Sequence, residues 1–337
     1  NKTYSVSTMT LKCLIACVLT IFGLANIVLL FLTFRPNFVT VRHNNEIVMT
    51  DRIDLESSGP AHESENSIEE LQQLYNKSQN QINIQKKVIS LLSQPVVNNH
   101  NFNYIHNPSS ACASEKVDIL FVTPSVPNNF KYRLKVRNGS RGDYVKNSNG
   151  RSKLLFFLGE AKDTDLKSRI QQKVSEEFSK YGDVIQDGFV DIYGNLRFKA
   201  VSMLKWAVTF CPHAKYVIRT DDDVAVDPPK LVSAMERKSA ISDNFILGRK
   251  AEKWTPIRNK ESKYFLSEDE YPYSTLPPFA LGGLLGYPMS TVKLLYQAAL
   301  RVKPIWLDDV YITGVCADKV NVPLFDDPDF EFQHWSW

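Results

Sequence analysis

Cysteine is scarce, with five residues in 337, two of them inside an apolar run near the start. That is too few for the disulfide scaffolds of small secreted domains. An excess of charge is missing too, since 40 basic side chains face 37 acidic ones for a formal net charge of +3. Without a basic stripe, nucleic acid is excluded as a bulk partner. Repeated acidic loops, which a calcium-dependent adhesion module would need, are absent, because only one strong acidic cluster leads into a strand-like run. What the chain does hold is 19 Phe, 14 Tyr and 5 Trp, enough aromatic surface for a substantial core. These residues are unevenly distributed along its length.

From Cys13 to Phe34 no residue is charged, and the run CLIACVLTIFGLANIVLLFLTF lies between Lys12 and Arg35. As a helix it would be about 33 Å long, enough for a hydrocarbon core of roughly 30 Å. A cleaved signal peptide and a buried core helix are the alternatives. The run is long for the first and lacks the polar face of the second. Lys2 and Lys12 before it and Arg35 and Arg42 after it leave the positive-inside rule nearly silent. The short leading tail suits an uncleaved signal-anchor (13–34) behind a cytoplasmic tail (1–12), with the remainder lumenal. Two N-glycosylation triplets, Asn76-Lys77-Ser78 and Asn138-Gly139-Ser140, lean the same way.

Residues 35–115 are rich in Asn, Gln, Ser and Glu and poor in aromatics, which reads as a stem. Within it Leu71, Tyr75, Ile82, Ile89 and Leu92 follow a heptad seam, with Ser78 and Gln85 at the alternating core positions. The pattern predicts a short helix ended by Pro95, and leaves open a homodimer through the stem. From Lys116 to Trp337 strands alternate with helices. VDILFVT (117–123), KLLFFLG (153–159) and AKYVIRT (214–220) have buried-strand length, and 164–180 and 195–210 have helical periodicity. That order predicts an α/β fold with a mostly parallel sheet flanked by helices, which binds ligands beyond the carboxyl ends of its strands.

Asp221, Asp222 and Asp223 directly follow the third strand. Three adjacent carboxylates repel one another unless a cation sits among them, and hard oxygen ligands suit Mg²⁺ or Mn²⁺. In extended chain Asp221 and Asp223 face one way and Asp222 the other. An acidic turn capping the strand is the plain alternative, but the strand's carboxyl end is where such a sheet presents ligand loops.

The segment 187–228, DGFVDIYGNLRFKAVSMLKWAVTFCPHAKYVIRTDDDVAVDP, resembles the central block of the β-1,3-galactosyltransferase-like glycosyltransferases, glycosyltransferase family 31. There a D-x-Y-x-N-L-x-x-K helix start precedes a Trp, a Cys, a strand and the DDD, matched here by Asp191, Tyr193, Asn195, Leu196, Lys199, Trp206 and Cys211. RLKVRNGS (133–140), FFLGEA (156–161), LPPFALGGLLGYPMS (276–290) and WLDDVYITGVCADKV (306–320) are similar to further motifs of the family, in order.

The resemblance implies a GT-A fold and an inverting β-1,3-hexosyltransferase that moves galactose or an N-acetylhexosamine from a UDP-sugar to a glycan acceptor on glycoprotein or glycolipid. It also implies a divalent cation and a single-span type II topology in the Golgi membrane. Asp223 aligns with the direct metal ligand, Asp221 with a ribose or metal contact, and Asp309 with the general base, while Asp308 stands where the family has Glu. Arg133, Arg137, Asp221, Asp222, Gly282 and Gly283 form the expected donor-binding set. Tyr273 and Phe279 are candidates to stack on a sugar, and His334 is a candidate metal ligand from the C-terminal tail. Cys211 and Cys316, both inside family motifs, are expected to pair and leave Cys112 over. A catalytically silent sugar-binding member of the same fold is the rival reading, and retention of Asp221, Asp223 and Asp309 argues against it.

Overall fold

Alternation of buried strands and helices organises the computed structural model, which describes residues 38–43, 46–51, 61–113, 116–162 and 166–332. The apolar run 13–34, the tail before it and His334 lie outside the described residues. Among the described residues no helix is long and apolar enough to cross a membrane. The chain divides into two units, 1–65 and 66–337. In the first, β1 (Phe38–His43) and β2 (Glu46–Asp51) pair antiparallel. Helix α1 (Ala61–Leu92) then runs for 32 residues and stops three residues short of Pro95.

The second unit carries an eight-stranded sheet. Its strands are β3 (Tyr104–His106), β4 (Ile119–Pro124), β5 (Ser152–Glu160), β6 (Val184–Val190), β7 (Tyr216–Thr220), β8 (Ile246–Ala251), β9 (Phe279–Pro288) and β10 (Leu324–Phe325), in spatial order β10-β8-β9-β7-β4-β5-β6-β3. The centre, β7-β4-β5-β6, is parallel. β9 runs antiparallel to both β7 and β8, and β3 antiparallel to β6, so the sheet is mixed. Strands β4 and β5 show near-continuous burial, as expected of a sheet covered on both faces.

The covering helices are α2 (Phe130–Arg137), α3 (Ser140–Lys146), α4 (Lys167–Tyr181), α5 (Leu196–Phe210), α6 (Pro228–Ile241) and α7 (Met289–Ala299). Two of their boundaries have clear local causes. Asp227 caps α6 by accepting from the Lys230 N–H, with Pro228 and Pro229 in its first turn, and Gly182 closes α4 in the left-handed conformation at φ 63°. One apolar layer gathers Ala200, Met203, Leu204 and Ala207 of α5 with Leu295 and Ala298 of α7. The other sets Leu231, Ala234 and Met235 of α6 against Phe121, Phe156 and Ile218. From β4 the chain steps to β5 and β6, then returns to place β7 on the other side of β4. The carboxyl ends of β4 and β7 therefore flank the point where strand order reverses, and that is where such sheets open a crevice.

One expectation gains detail and one changes. The polar segment before Lys116 is mostly exposed among its described residues, and it is anchored to the sheet unit at a few points. Ile84 and Leu91 of α1 are buried, Lys77 bridges Asp243 at 2.7 Å, and the Val97 and Asn98 N–H groups donate to the Leu300 carbonyl. The disulfide is different, since Cys112 pairs with Cys211 and Cys316 is a buried free thiol. β3 carries the chain along the edge of the sheet and brings Cys112 to the end of α5. Cys316 sits in a π-helical segment (Val310–Cys316) beside Tyr311, with burial pushing its thiol up.

Candidate active site

The polypeptide leaving β7 is held before any ligand arrives. Arg141 of α3 is buried and donates to Thr123 Oγ1 (3.0 Å), to the Thr220 and Asp221 carbonyls (3.3 and 3.1 Å) and to the Val224 carbonyl (2.9 Å). Burial lowers its pKa to about 10 against the pull of Asp222, Asp221 and Asp223, so it remains a cation at neutral pH. From the other side the Asp221 N–H donates to the Gly283 carbonyl on β9 at 3.1 Å. Side chains alternate along this stretch. Asp222 turns inward and accepts from Ser125 Oγ (2.5 Å) and Asn129 Nδ2 (3.1 Å), while Asp221 and Asp223 line a cleft of about 470 Å³. Asp222 is thus an internal brace for the loop after β4, which corrects its placement among the donor-binding residues.

Asp308 and Asp309 enter the same cleft from the helical turn that leads into the π-helical segment. Arg219, at the end of β7, joins the two acidic pairs. Its guanidinium lies 2.8 Å from Asp308 Oδ2 and 3.7 Å from Asp221 Oδ1. Asp308 is therefore committed to an ion pair. Asp309 accepts from the Val310 N–H at 2.8 Å, and burial, followed by the adjacent Asp308 charge, raises its pKa to about 6. Burial, partly offset by Arg219, raises Asp221 to about 7, and its Oδ1 is buried without a hydrogen bond.

That oxygen, next to Asp223 on an open cleft, fits a cation. Among the described residues no three His, Cys, Asp or Glu side chains form a metal cage. Two carboxylates are nonetheless the usual protein share of a Mg²⁺ or Mn²⁺ site whose shell is completed by phosphate oxygens and water.

Arg133 and Arg137 do not reach this cleft. Arg133 is wholly buried and forks onto Glu177 of α4 (2.6 and 3.0 Å), with a further bond to Ser125 Oγ at 3.1 Å. Arg137 bridges Glu177 at 2.6 Å and Asp183 at 2.7 Å. The expectation that they bind the donor fails because two carboxylates inside the fold already satisfy them. Gly282 and Gly283 do line the cleft, but their missing side chains make room for protein groups. A Cβ at Gly282 would lie 3.2 Å from the Arg219 guanidinium, and one at Gly283 would lie 2.3 Å from the Phe332 ring.

The helix-start motif also has a physical basis here. Lys199 bridges Asp191 at 2.8 Å and donates to the Ser125 carbonyl at 2.5 Å, fixing α5 to the loop after β4. Beside the carboxylates, a hollow of about 310 Å³ shares Asp308 and Asp309 with the cleft and is walled by Tyr193, Trp254, Tyr264 and Trp306. Phe279 is buried, edge-on to Trp254 at 5.6 Å, and Tyr273 is exposed outside the hollow. Of the two rings expected to stack on a sugar, Phe279 thus lines the hollow from behind Trp254, and Tyr273 does not reach it. Arg141, Arg219 and Phe332 were missed as well. For Arg219 the available signal was a cation inside an apolar strand two residues before the acidic triplet.

A carboxylate-lined cleft at the strand-order reversal of an α/β sheet agrees with a comparison against family models, in which residues 136–328, more than half of the chain, match the galactosyltransferase model. The chain belongs to the galactosyltransferase family. Among curated relatives, the human lactosylceramide 1,3-N-acetyl-beta-D-glucosaminyltransferase is 30% identical over 225 residues, 66% of this chain and 59% of the relative. The Xenopus laevis A form gives the same identity and coverage. Human beta-1,3-galactosyltransferase 2 is 27% identical over 240 residues, 71% of this chain and 56% of the relative. The chain thus spans less than two thirds of the length of these relatives. Asp221, Asp222, Asp223, Asp308 and Asp309 fall inside the matched region, whereas Cys112 and α1 precede it.

Proposed function

We propose that this galactosyltransferase-family chain is an inverting, divalent-metal-dependent β-1,3-hexosyltransferase. It would move galactose or an N-acetylhexosamine from a UDP-sugar to a glycan acceptor on glycoprotein or glycolipid. The observation that carries this reading is the convergence of two acidic pairs, Asp221 with Asp223 and Asp308 with Asp309, on one cleft. Their environments differ in the way an acid–base pair and a cation site require.

Asp223, with Asp221, would hold Mn²⁺ or Mg²⁺, which when bound supplies Lewis-acid stabilisation to the departing diphosphate. Asp309 takes the proton of the acceptor hydroxyl as its oxygen bonds to the anomeric carbon. The diphosphate leaves with the bonding pair, so configuration inverts in one displacement. Arg219 holds Asp308 in an ion pair at 2.8 Å, and Asp309 is then the carboxylate left to act as base.

Assay of the full chain in detergent with a panel of UDP-sugars tests the proposal. Turnover should require Mn²⁺ or Mg²⁺, stop with chelator, and be lost in Asp223→Asn. Sugar-nucleotide binding without turnover would instead favour the silent sugar-binding reading. The aromatic hollow suits the acceptor, because rings stack on the apolar faces of sugars. Trp254→Ala is expected to raise the acceptor KM about three- to tenfold, from roughly 0.5–1.5 kcal/mol of lost ring contact, and to leave donor hydrolysis unchanged.

For location we propose a lumenal catalytic unit on a single-span Golgi anchor, supported by the apolar run 13–34 and by a disulfide, a bond that persists in oxidising compartments. A second copy of the chain is the partner that α1 suits. Leu71, Tyr75, Ile82, Ile89 and Leu92 are exposed along the heptad seam, while Ile84 and Leu91 dock elsewhere. Ile82→Glu with Ile89→Glu should leave the detergent-solubilised chain monomeric by light scattering, against a dimer for the parent.

A further inference from the structure

At the end of the sheet opposite the carboxylate cleft, a groove of about 550 Å³ opens beside the first residues of β5. Ser152, Lys153 and Leu154 form its floor, Val145 and Lys146 of α3 one wall, and Tyr181 at the end of α4 another. Its lining is mainly apolar, with the two lysines at the rim. Asn138 stands in the turn between α2 and α3 and also lines the groove. Its side chain is exposed. The turn is fixed, because Gly142 packs so closely on Arg137 that a Cβ there would lie 1.9 Å from the Arg137 carbonyl oxygen. Ser140 Oγ adds a hydrogen bond to the Val226 carbonyl at 2.6 Å.

Asn138-Gly139-Ser140 is an N-glycosylation triplet, and the Cys112–Cys211 disulfide is independent support for folding in an oxidising compartment where that modification takes place. We propose that Asn138 carries an N-linked glycan whose first sugar seats in this groove. The donor class is a lipid-diphosphate-linked oligosaccharide. The Asn138 amide nitrogen bonds to its anomeric carbon, the lipid diphosphate leaves with the bonding pair, and the amide gives up one proton. Addition to the emerging chain precedes folding, so the later hydrogen bond of Ser140 does not obstruct it. Once folded, the attached sugar lies against Tyr181 and the apolar floor, with Lys146 and Lys153 available to its hydroxyls. The cleft at the other end of the sheet stays open, so the modification is compatible with transfer chemistry.

The test uses the full chain expressed in cultured mammalian cells on an Asn1→Gln, Asn76→Gln background, which removes the other two triplets, Asn1-Lys2-Thr3 and Asn76-Lys77-Ser78. A peptide-N-glycosidase should convert Asn138 to aspartate, read by peptide mass, with one step of gel mobility. Asn138→Gln and Ser140→Ala should each lose that step, and Ser140→Thr should keep it. Seating in the groove predicts release at least tenfold slower from the native protein than from the denatured one. An unmodified Asn138, or equal release rates from native and denatured protein, would overturn the proposal.

Discussion

Asp309→Asn is expected to lower the transfer rate about 10²- to 10⁴-fold, the range that a positioned general base contributes. The amide keeps an acceptor for the Val310 N–H, so the segment Val310–Cys316 should stay capped and the UDP-sugar should bind as in the parent. The loss should therefore fall on kcat, with little change in donor KM. The same residue sets the pH profile of the parent. Its raised pKa of about 6 means that the basic form prevails above that value, and kcat/KM should fall about tenfold per pH unit below it. A parent profile without an acidic limb near pH 6, or an Asp309→Asn variant of undiminished rate, would remove Asp309 from the role.

The second large effect concerns stability. Glu177 lies between two buried arginines, at 2.6 Å from each. Burial opposes its charge, but hydrogen bonds and attraction from Arg133, then Arg137, overcome this and hold the carboxyl below its ordinary range. Glu177→Ala would leave the Arg133 guanidinium inside the fold without its counter-charge, a defect that typically costs about 3–5 kcal/mol, whereas Arg137 would keep Asp183 at 2.7 Å. Chemical denaturation at neutral pH should show that deficit. The stabilisation from a depressed carboxylate pKa is present above its unfolded value, near 4.3, and is lost as pH falls through the folded value, so parent and variant should converge in acid. Arg133 also touches Ser125, whose hydroxyl holds Asp222, so the variant should lose activity through the acidic loop as well.

Much of this molecule was legible because patterning and position speak directly. Apolar runs gave β4, β5 and β7 to within two residues at each end, and periodicity gave α4 and α5. Residue alternation separated Asp222 from its neighbours. Arg133 and Arg137 were misplaced because guanidinium chemistry is the same whether it meets a diphosphate or a buried Glu177, and the partner comes from a helix some forty residues later. Cys112 was passed over because it sits in polar sequence, and only pairing of β3 with β6 brings it to α5. Arg219 was overlooked because a strand with a single charge reads as apolar until its end is seen to lie between two carboxylate pairs. Phe279 was legible as a ring of the hollow, but the more exposed Trp254 in front of it was not, since burial cannot be read from ring type.

The Cys112–Cys211 bond also sets how the chain transmits force. It closes a loop of sequence separation 99 that contains β4, β5 and β6. Tension entering from the stem would pass through sulfur straight to the end of α5, sparing these strands. A pull on the two ends would extend the oxidised chain by about 350 Å less than the reduced one, at roughly 3.6 Å per residue of hidden length. Three of the four strands in the parallel centre would thus be shielded from load, and the strand that delivers Asp221 and Asp223 would begin just beyond the shield.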